Sequence, residues 1–470
     1  MRGEIVIKAD AHATALASGE ERPFSKIIYC NIGNPQQLGQ KPLSFARQVE
    51  ALMNYPALLE KPEEELSGLF ASDAIARAKS YMASIPGGVG AYSNSQGVQV
   101  IRDEVADFIT QRDGFTGHAS NVFLTDGASP AVQMCLSSII RDENDAVMIP
   151  LPQYPLYSAA LALFGGSPCG YYLTESTNWG LTLESLQKAY DEGVSAGKNV
   201  RALVVINPGN PTGGCLSKEE MKNIVSFCTE RGIALMADEV YQENIWAEGS
   251  SFTSFKSVAA EMGAVDAEDT TGEKSALQLA SFHSVSKGFA GECGRRGGYV
   301  ELVGFSADVR AQLYKFASIS LCSNITGQLA TGLMVNPPKE GDASYEAYVA
   351  ERDGILASLK RRASKLADAL NAMEGVSCQP PQGALYAFPQ ITLPPKAVAA
   401  AADAGKAADA FYCLHLLDAT GVVVVPGSGF GQEEGTFHFR TTILPSEEEI
   451  DTVIEGMGAF HKKFMAEFSA

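Results

Sequence analysis

Positive charge is scarce in this sequence: 36 Lys and Arg stand against 55 Asp and Glu, a formal charge of −19. Such a surface repels nucleic acid and anionic membranes, so neither is expected as a partner. An anionic ligand would need a few cations placed at its own site. The nine cysteines are odd in number, scattered, and without a Cys-x-x-Cys pair. That excludes a disulfide framework and points to free thiols in a reducing compartment. The six histidines show no ligand spacing, so no metal centre is expected. No apolar run approaches the roughly 18 residues of a membrane span. The opening MRGEIVIKADAHATALASGE lacks the apolar core of a secretion signal, and the closing EFSA is not a peroxisomal tripeptide. Cytoplasm is the expected location.

What is present is the composition of a folded enzyme: 46% hydrophobic and 19% charged residues in a chain of 470, enough for two domains. Short apolar runs alternate with helix-compatible segments: NVFLT (121–125), DAVMIP (145–150), ALVVIN (202–207), IALMAD (233–238), LQLASF (277–282) and GYVELVG (298–304). Near-continuous apolarity on this spacing predicts strands buried on both faces, so an α/β fold with a mostly parallel sheet between crossover helices. Ser217 to Glu220 reads as a capping box. The acidic stretch 261–276 reads as a surface loop. Residues 76–335 are expected to form the large α/β domain. A smaller α+β domain is expected from 336–470, with an arm and part of that domain from 1–75. Its elements would include a charged helix through YEAYVAERDGILASLKRRASKLADALNAM, an alanine-rich helix over 397–417 and strands at 422–426 and 437–444.

In open parallel sheets, ligands bind beyond the carboxyl ends of the strands. The residues just past each run are therefore the candidates. Ser129, as N-cap with Pro130 first in the helix, would leave N–H groups free for a phosphate; an ordinary cap is the bland alternative. Tyr154 could stack on a planar ligand or merely pack. The loop NPGNPTGG (207–214) presents two asparagine amides. Asp238 ends an apolar strand and needs a cation, such as a protonated ring nitrogen, unless it only caps a helix. In SFHSVSK (281–287) a lysine follows a buried strand, and it must reach water or have a partner. A phosphate site, a stacking ring, a carboxylate and an amine together suit pyridoxal 5'-phosphate, with Lys287 as its Schiff-base partner. Ser284-x-x-Lys287 also matches the SxxK nucleophile motif, but its companion SDN and KTG motifs are absent from the sequence.

NPGNPTGG, ADEVYQENI and SFHSVSKGFAGECGRRGGYVEL, with NIGNPQQLGQ, GAYSNSQG and IPLPQYPLYSA, resemble the alanine branch of the fold-type I, pyridoxal-phosphate-dependent aminotransferases. The resemblance implies that alanine and 2-oxoglutarate are converted to pyruvate and glutamate by a ping-pong exchange at Lys287. It further implies that Asp238 keeps the pyridine nitrogen protonated. Asn210 and Tyr241 would bond the cofactor's phenolic oxygen, and Tyr154 would stack on its ring. Ala128, Ser129, Ser284 and an arginine would hold the phosphate. Spacing from the lysine points to Arg295; the arginine before Gly-Gly-Tyr is Arg296, which is preferred. Arg440, with the backbone of Gly33 and with Asn210, would bind the substrate α-carboxylate, and Tyr92 would reach the phosphate of a neighbouring subunit in a homodimer. A glutamate:glyoxylate aminotransferase fits the same motifs. A ligand-sensing regulator on this fold is the non-enzymatic alternative.

Overall fold

The computed structural model describes residues 3–249 and 251–469, so the extreme ends of the expected arm and C-terminal domain lie outside it. All six apolar runs form strands, and a seventh joins them. These are β1 (Val122–Thr125), β2 (Asp145–Leu151), β3 (Ser167–Tyr172), β4 (Asn199–Ile206), β5 (Ala234–Asp238), β6 (Leu279–Ser284) and β7 (Gly298–Val303). They make one sheet of order β1-β7-β6-β5-β4-β2-β3. Strand β7 runs antiparallel to both neighbours, and every other pair is parallel.

Both faces are covered, as continuous apolarity requires. Along β4, Leu203 and Val205 enter one apolar layer with helices Leu183–Ser195 and Lys218–Arg231, while Ala202, Val204 and Ile206 enter the other with helix Ala128–Ile139. Each fully buried Val or Leu contributes about 1.5–3 kcal/mol of transfer free energy. Helix Lys218–Arg231 starts with the expected capping box, Ser217 and Glu220 bonding each other's backbone N–H. A third cluster joins helices Ser44–Asn54, Ser72–Ser84 and Gln99–Asp113 to Val122, Leu124 and Tyr299 of the sheet. The expected arm boundary at 75/76 thus falls inside a helix packed on the large sheet. A fourth cluster collects Ile5, Ala9, Ile28 and Cys30 with residues of the C-terminal third, around helices Tyr345–Asn371 and Glu447–Ser469.

Several local expectations change. The phosphate-type helix begins at Ala128 with Gly127 as N-cap, so Ser129 is its second residue and Pro130 its third. Gly127 takes φ 85°, ψ 176°, a conformation open to glycine, and a β-carbon there would sit 2.5 Å from Arg296 Nη2. The alanine-rich stretch is two helices, Pro395–Asp403 and Ala408–Thr420, parted by Gly405 at φ 65°. Residues 422–426 split between two short pairings, one with Ile28–Tyr29 and one with Phe439–Arg440. Segment 261–276 is a loop from Met262 onward, but a buried one in part. Asp269 accepts the N–H groups of Thr271, Gly272 and Lys274 and is 4% exposed. Among the described residues no helix is long and apolar enough to cross a membrane.

Candidate active site

The carboxyl ends of β1, β2, β4, β5 and β6 lie on one edge of the sheet. Because β7 is antiparallel, its amino end meets them there: Gly298 pairs with Thr125 on one side and Ser284 on the other. Arg296, just before β7, is thereby delivered to the same edge. A cavity of about 270 Å³ opens here between the sheet and the C-terminal cluster. Of the expected residues, Gly33, Ala128, Ser129, Tyr154, Asn210, Asp238, Tyr241, Ser284, Lys287, Arg296 and Arg440 line it, and Tyr92 does not.

One end of the cavity is built for an anion. The first N–H groups of helix Ala128–Ile139 have no side-chain cap and no intrahelical acceptor. Arg296 lies beside them, anchored by bonds from Nη1 to the Cys293 carbonyl (3.0 Å) and from Nη2 to the Asp126 carbonyl (2.9 Å). The neighbouring arginine goes elsewhere. Arg295 pairs with Glu50 at 2.5 Å and approaches Glu292.

Asp238 ends β5 at 5% exposure. Its carboxylate accepts the hydroxyl of Tyr157 at 2.8 Å and the Val240 N–H at 3.4 Å. Burial pushes its pKa up to about 6, against the opposing pull of Tyr157, Val240 and Lys287. Among the described residues no cation contacts this carboxylate, so a cationic group on a ligand would complete it.

Lys287 follows β6 by three residues, and its Nζ donates to the Gly33 carbonyl at 2.6 Å. The turn that carries it needs Gly288, whose φ is 66° and whose N–H is held by Asn244 Oδ1 at 2.8 Å. In the 207–214 loop the two asparagines divide the work. Asn207 Oδ1 accepts the Leu216 N–H and holds the loop. Asn210 faces the cavity, accepting from Arg440 Nη1 at 2.9 Å and donating to Tyr241 Oη at 3.3 Å. Arg440 is 5% exposed; its Nη2 bonds the Asn31 carbonyl, and its buried Nε has no partner among the described residues.

Sequence reading missed Tyr157 and Tyr386. Tyr157 sits in helix Leu156–Phe164, three residues beyond Tyr154, and a second tyrosine so close to the same strand end was the available signal. Tyr386 lines the cavity from a two-residue strand of the C-terminal region; GALYAFP carries no local mark of it. Tyr92 is 79% exposed on the surface.

The donor set fits pyridoxal phosphate group by group. Free helix N–H groups and Arg296 suit a phosphate, a buried Asp238 without a cationic contact suits a protonated ring nitrogen, and the Lys287 amine suits an aldehyde. The unpartnered Arg440 Nε is left over for a carboxylate. The chain matches Aminotransferase class I and II over residues 65–457. It is 55% identical over 470 residues to alanine aminotransferase 2 of Panicum miliaceum, covering all of this chain and 95% of that one. It is 48% identical over 469 residues to glutamate–glyoxylate aminotransferase 2 of Arabidopsis thaliana, covering all of this chain and 94% of that one. Some other relatives carry the word mitochondrial in their names. A solved alanine aminotransferase from Pyrococcus furiosus, 22% identical, superposes with a TM-score of 0.75 over 98% of this chain and 96% of its own. The expected α/β architecture is therefore the fold-type I one, and the chain belongs to the class I and II aminotransferases, which work with pyridoxal phosphate.

Proposed function

We propose that this cavity transfers the amino group of L-alanine to 2-oxoglutarate, giving pyruvate and L-glutamate. The observation that carries the reading is the joint presence of Lys287, Asp238 and Arg440 in one cavity, in a chain 55% identical to a named alanine aminotransferase.

Ala128, Ser129, Ser284 and Arg296 would hold the cofactor phosphate, and Tyr154 would cover the ring. Asp238 would keep the ring nitrogen protonated, with Tyr157 orienting the carboxylate. Asn210 and Tyr241 would bond the phenolic oxygen. When bound, pyridoxal phosphate supplies an electrophilic carbonyl and an electron sink for the carbon that loses its proton. Lys287 Nζ would hold the cofactor, and as a free amine it would remove and return the substrate Cα proton. Arg440 grips the α-carboxylate as a planar fork, beside the Gly33 backbone. The other lining cations are Lys287 and Arg296, so neutral donors or water would meet the distal carboxylate of 2-oxoglutarate. These few cations are the local answer to a chain of formal charge −19.

The same reading makes the protein a homodimer. Tyr92 is 79% exposed, and Ile319 (79%) and Leu321 (49%) add apolar surface, of the kind that marks association. Tyr92 would reach the partner's phosphate site. Nine free cysteines suit a reducing compartment, and we place the protein in the cytoplasm. The division into an arm (1–75), a large domain (76–335) and a small domain (336–470) belongs to this reading, with helix Ser44–Asn54 going to the large domain by its packing.

Purified enzyme should use alanine and glutamate as leading donors, with aspartate and aromatic amino acids far behind; pyruvate is followed by coupling to lactate dehydrogenase. A relative named for glutamate and glyoxylate, 48% identical over 469 residues, favours a second reading. Glyoxylate outperforming both 2-oxoglutarate and pyruvate as acceptor would establish it. Aspartate or tyrosine as best donor would defeat both.

Arg296→Gln should weaken cofactor retention about 10- to 100-fold in equilibrium dialysis, the worth of a charge-assisted bond. Arg295→Gln should lower stability through Glu50 and leave retention intact. The reverse pattern would move the phosphate contact to Arg295.

A further inference from the structure

A buried histidine stands behind the strand that carries Arg440. His438 is 2% exposed and lies two residues before Arg440, on the extended segment that leads into strand Phe439–Thr442. Both of its ring nitrogens face acceptors. Nε2 lies 3.0 Å from a carboxylate oxygen of Glu175, which comes from the link between β3 and helix Leu183–Ser195. Nδ1 lies 3.0 Å from Gln432 Oε1.

The orientation of Gln432 decides the protonation of the ring. Its Nε2 donates to Asp409 Oδ2 at 2.9 Å, and that oxygen also accepts the Ser428 N–H at 2.6 Å. The other Asp409 oxygen accepts the Ala410 N–H at 2.8 Å, so the buried carboxylate serves as acceptor throughout. Turning Gln432 over would set its carbonyl against that carboxylate. Oε1 therefore stays on His438, and Nδ1 must carry a proton. Nε2 must carry one as well to meet Glu175. The ring is an imidazolium, joined to Glu175 by a charge-assisted bond. Its face lies parallel to the Phe388 ring with centroids 4.9 Å apart, a place suited to a cation. Gly427 makes the fit possible, since a β-carbon there would collide with Gln432 Oε1. The other ionisable groups close by are Cys378, whose thiol is pushed up by burial and then by Glu175, and Arg440 itself.

His438 reaches Arg440 by packing. Residues two apart on an extended strand share a face. The Phe388 and Phe430 rings meet edge to face at 5.8 Å, and the Arg440 guanidinium lies 4.8 Å from the Phe430 centroid. Trp179, from the same link as Glu175, packs edge-on against both His438 and Phe388, each at 5.6 Å. We propose that His438 is a positioning residue for substrate binding. As an imidazolium tied to Glu175, it fixes the Arg440 strand against the link after β3 and so holds the guanidinium where a carboxylate docks. The proposal rests on the role given above to Arg440.

The test sets His438→Phe beside His438→Gln and Glu175→Gln in the cofactor-loaded protein. Phenylalanine keeps a ring on Phe388 and removes both donors; glutamine restores an amide donor toward Glu175 without the charge. His438→Phe should raise KM for alanine and for 2-oxoglutarate alike by about tenfold, the low end of what a bond to a charged group is worth, with kcat within about threefold of the parent's. His438→Gln should recover part of that loss. Glu175→Gln, at a side chain that reaches solvent, should act in the same direction and add little on top of His438→Phe, because both cut one bond. Unchanged KM in His438→Phe and Glu175→Gln would overturn the proposal, and so would effects that simply add. Should His438→Phe fail to fold, Glu175→Gln decides alone. Ring-nitrogen NMR of histidine-labelled parent, with His438 identified by its loss in His438→Gln, should show both nitrogens protonated near neutral pH; a neutral ring would equally overturn it. Arg440→Lys is measured alongside. An unchanged KM there would remove Arg440 from the site, whereas a raised KM there beside a normal His438→Phe would defeat the positioning role alone.

Discussion

Lys287→Ala should lower transamination by on the order of 10⁴-fold or more, because in the proposed mechanism one amine serves both as the covalent seat of the cofactor and as the acid–base group at the substrate carbon. The fold survives. Lys287 lines a cavity, and its Nζ donates to the Gly33 carbonyl at 2.6 Å, which the cavity leaves open to water when the amine is gone. Steady-state rates with alanine and 2-oxoglutarate, together with a thermal melt, check both halves. Activity near the parent's would sink the mechanism, and a protein that no longer melts cooperatively would make the lysine structural.

Asp238→Ala carries the second large effect, a fall in kcat of about 10²–10³-fold, the usual loss when one preorganised electrostatic partner of a developing charge is removed. Stability moves differently. In the cofactor-free protein the Asp238 pKa lies at about 6, above its ordinary 3.8. The fold therefore disfavours the ionised form. Its penalty is absent below about pH 4 and complete above about pH 6, where it is on the order of 3 kcal/mol. Removing the carboxylate deletes that penalty, while leaving Tyr157 without its acceptor costs about 1–3 kcal/mol at every pH. The stability of variant minus parent, from urea unfolding of cofactor-free protein, should thus rise between pH 4 and 6. No helix begins directly after Asp238, so a flat difference with an unchanged kcat would reduce it to a group that holds the turn through the Val240 N–H.

Much of this arrangement was legible because strands buried on both faces must be apolar throughout, so a polar residue at a strand end stands out. Asp238, Ser284 and Lys287 announce themselves this way. Strand β3 did not. It lies at the sheet edge with a half-exposed pattern, and SPCGYY carries a proline and a glycine that an edge position tolerates. The direction of β7 was also hidden, since no helix connects it to β6: the link from Val285 to Gly297 holds only a three-residue helical turn. That turn matters, because an antiparallel β7 is what brings Arg296 to the cavity. The start at Ala128 was misplaced because serine is the better-known cap, whereas the close approach of Arg296 requires glycine at 127. Tyr386 could not be read at all. Its partners Tyr241, Arg440 and Gly33 are remote in sequence, and only the packing of the C-terminal cluster on the sheet edge joins them.

Borohydride reduction of the cofactor-loaded protein, followed by peptide mass mapping, tests the central claim most directly. Reduction turns a cofactor–lysine linkage into a stable amine that survives digestion. A pyridoxyl group on the peptide containing Lys287, in stoichiometric yield and lost in Lys287→Ala, is the result expected. The label on any other lysine, or no label from protein that turns over alanine, would contradict it.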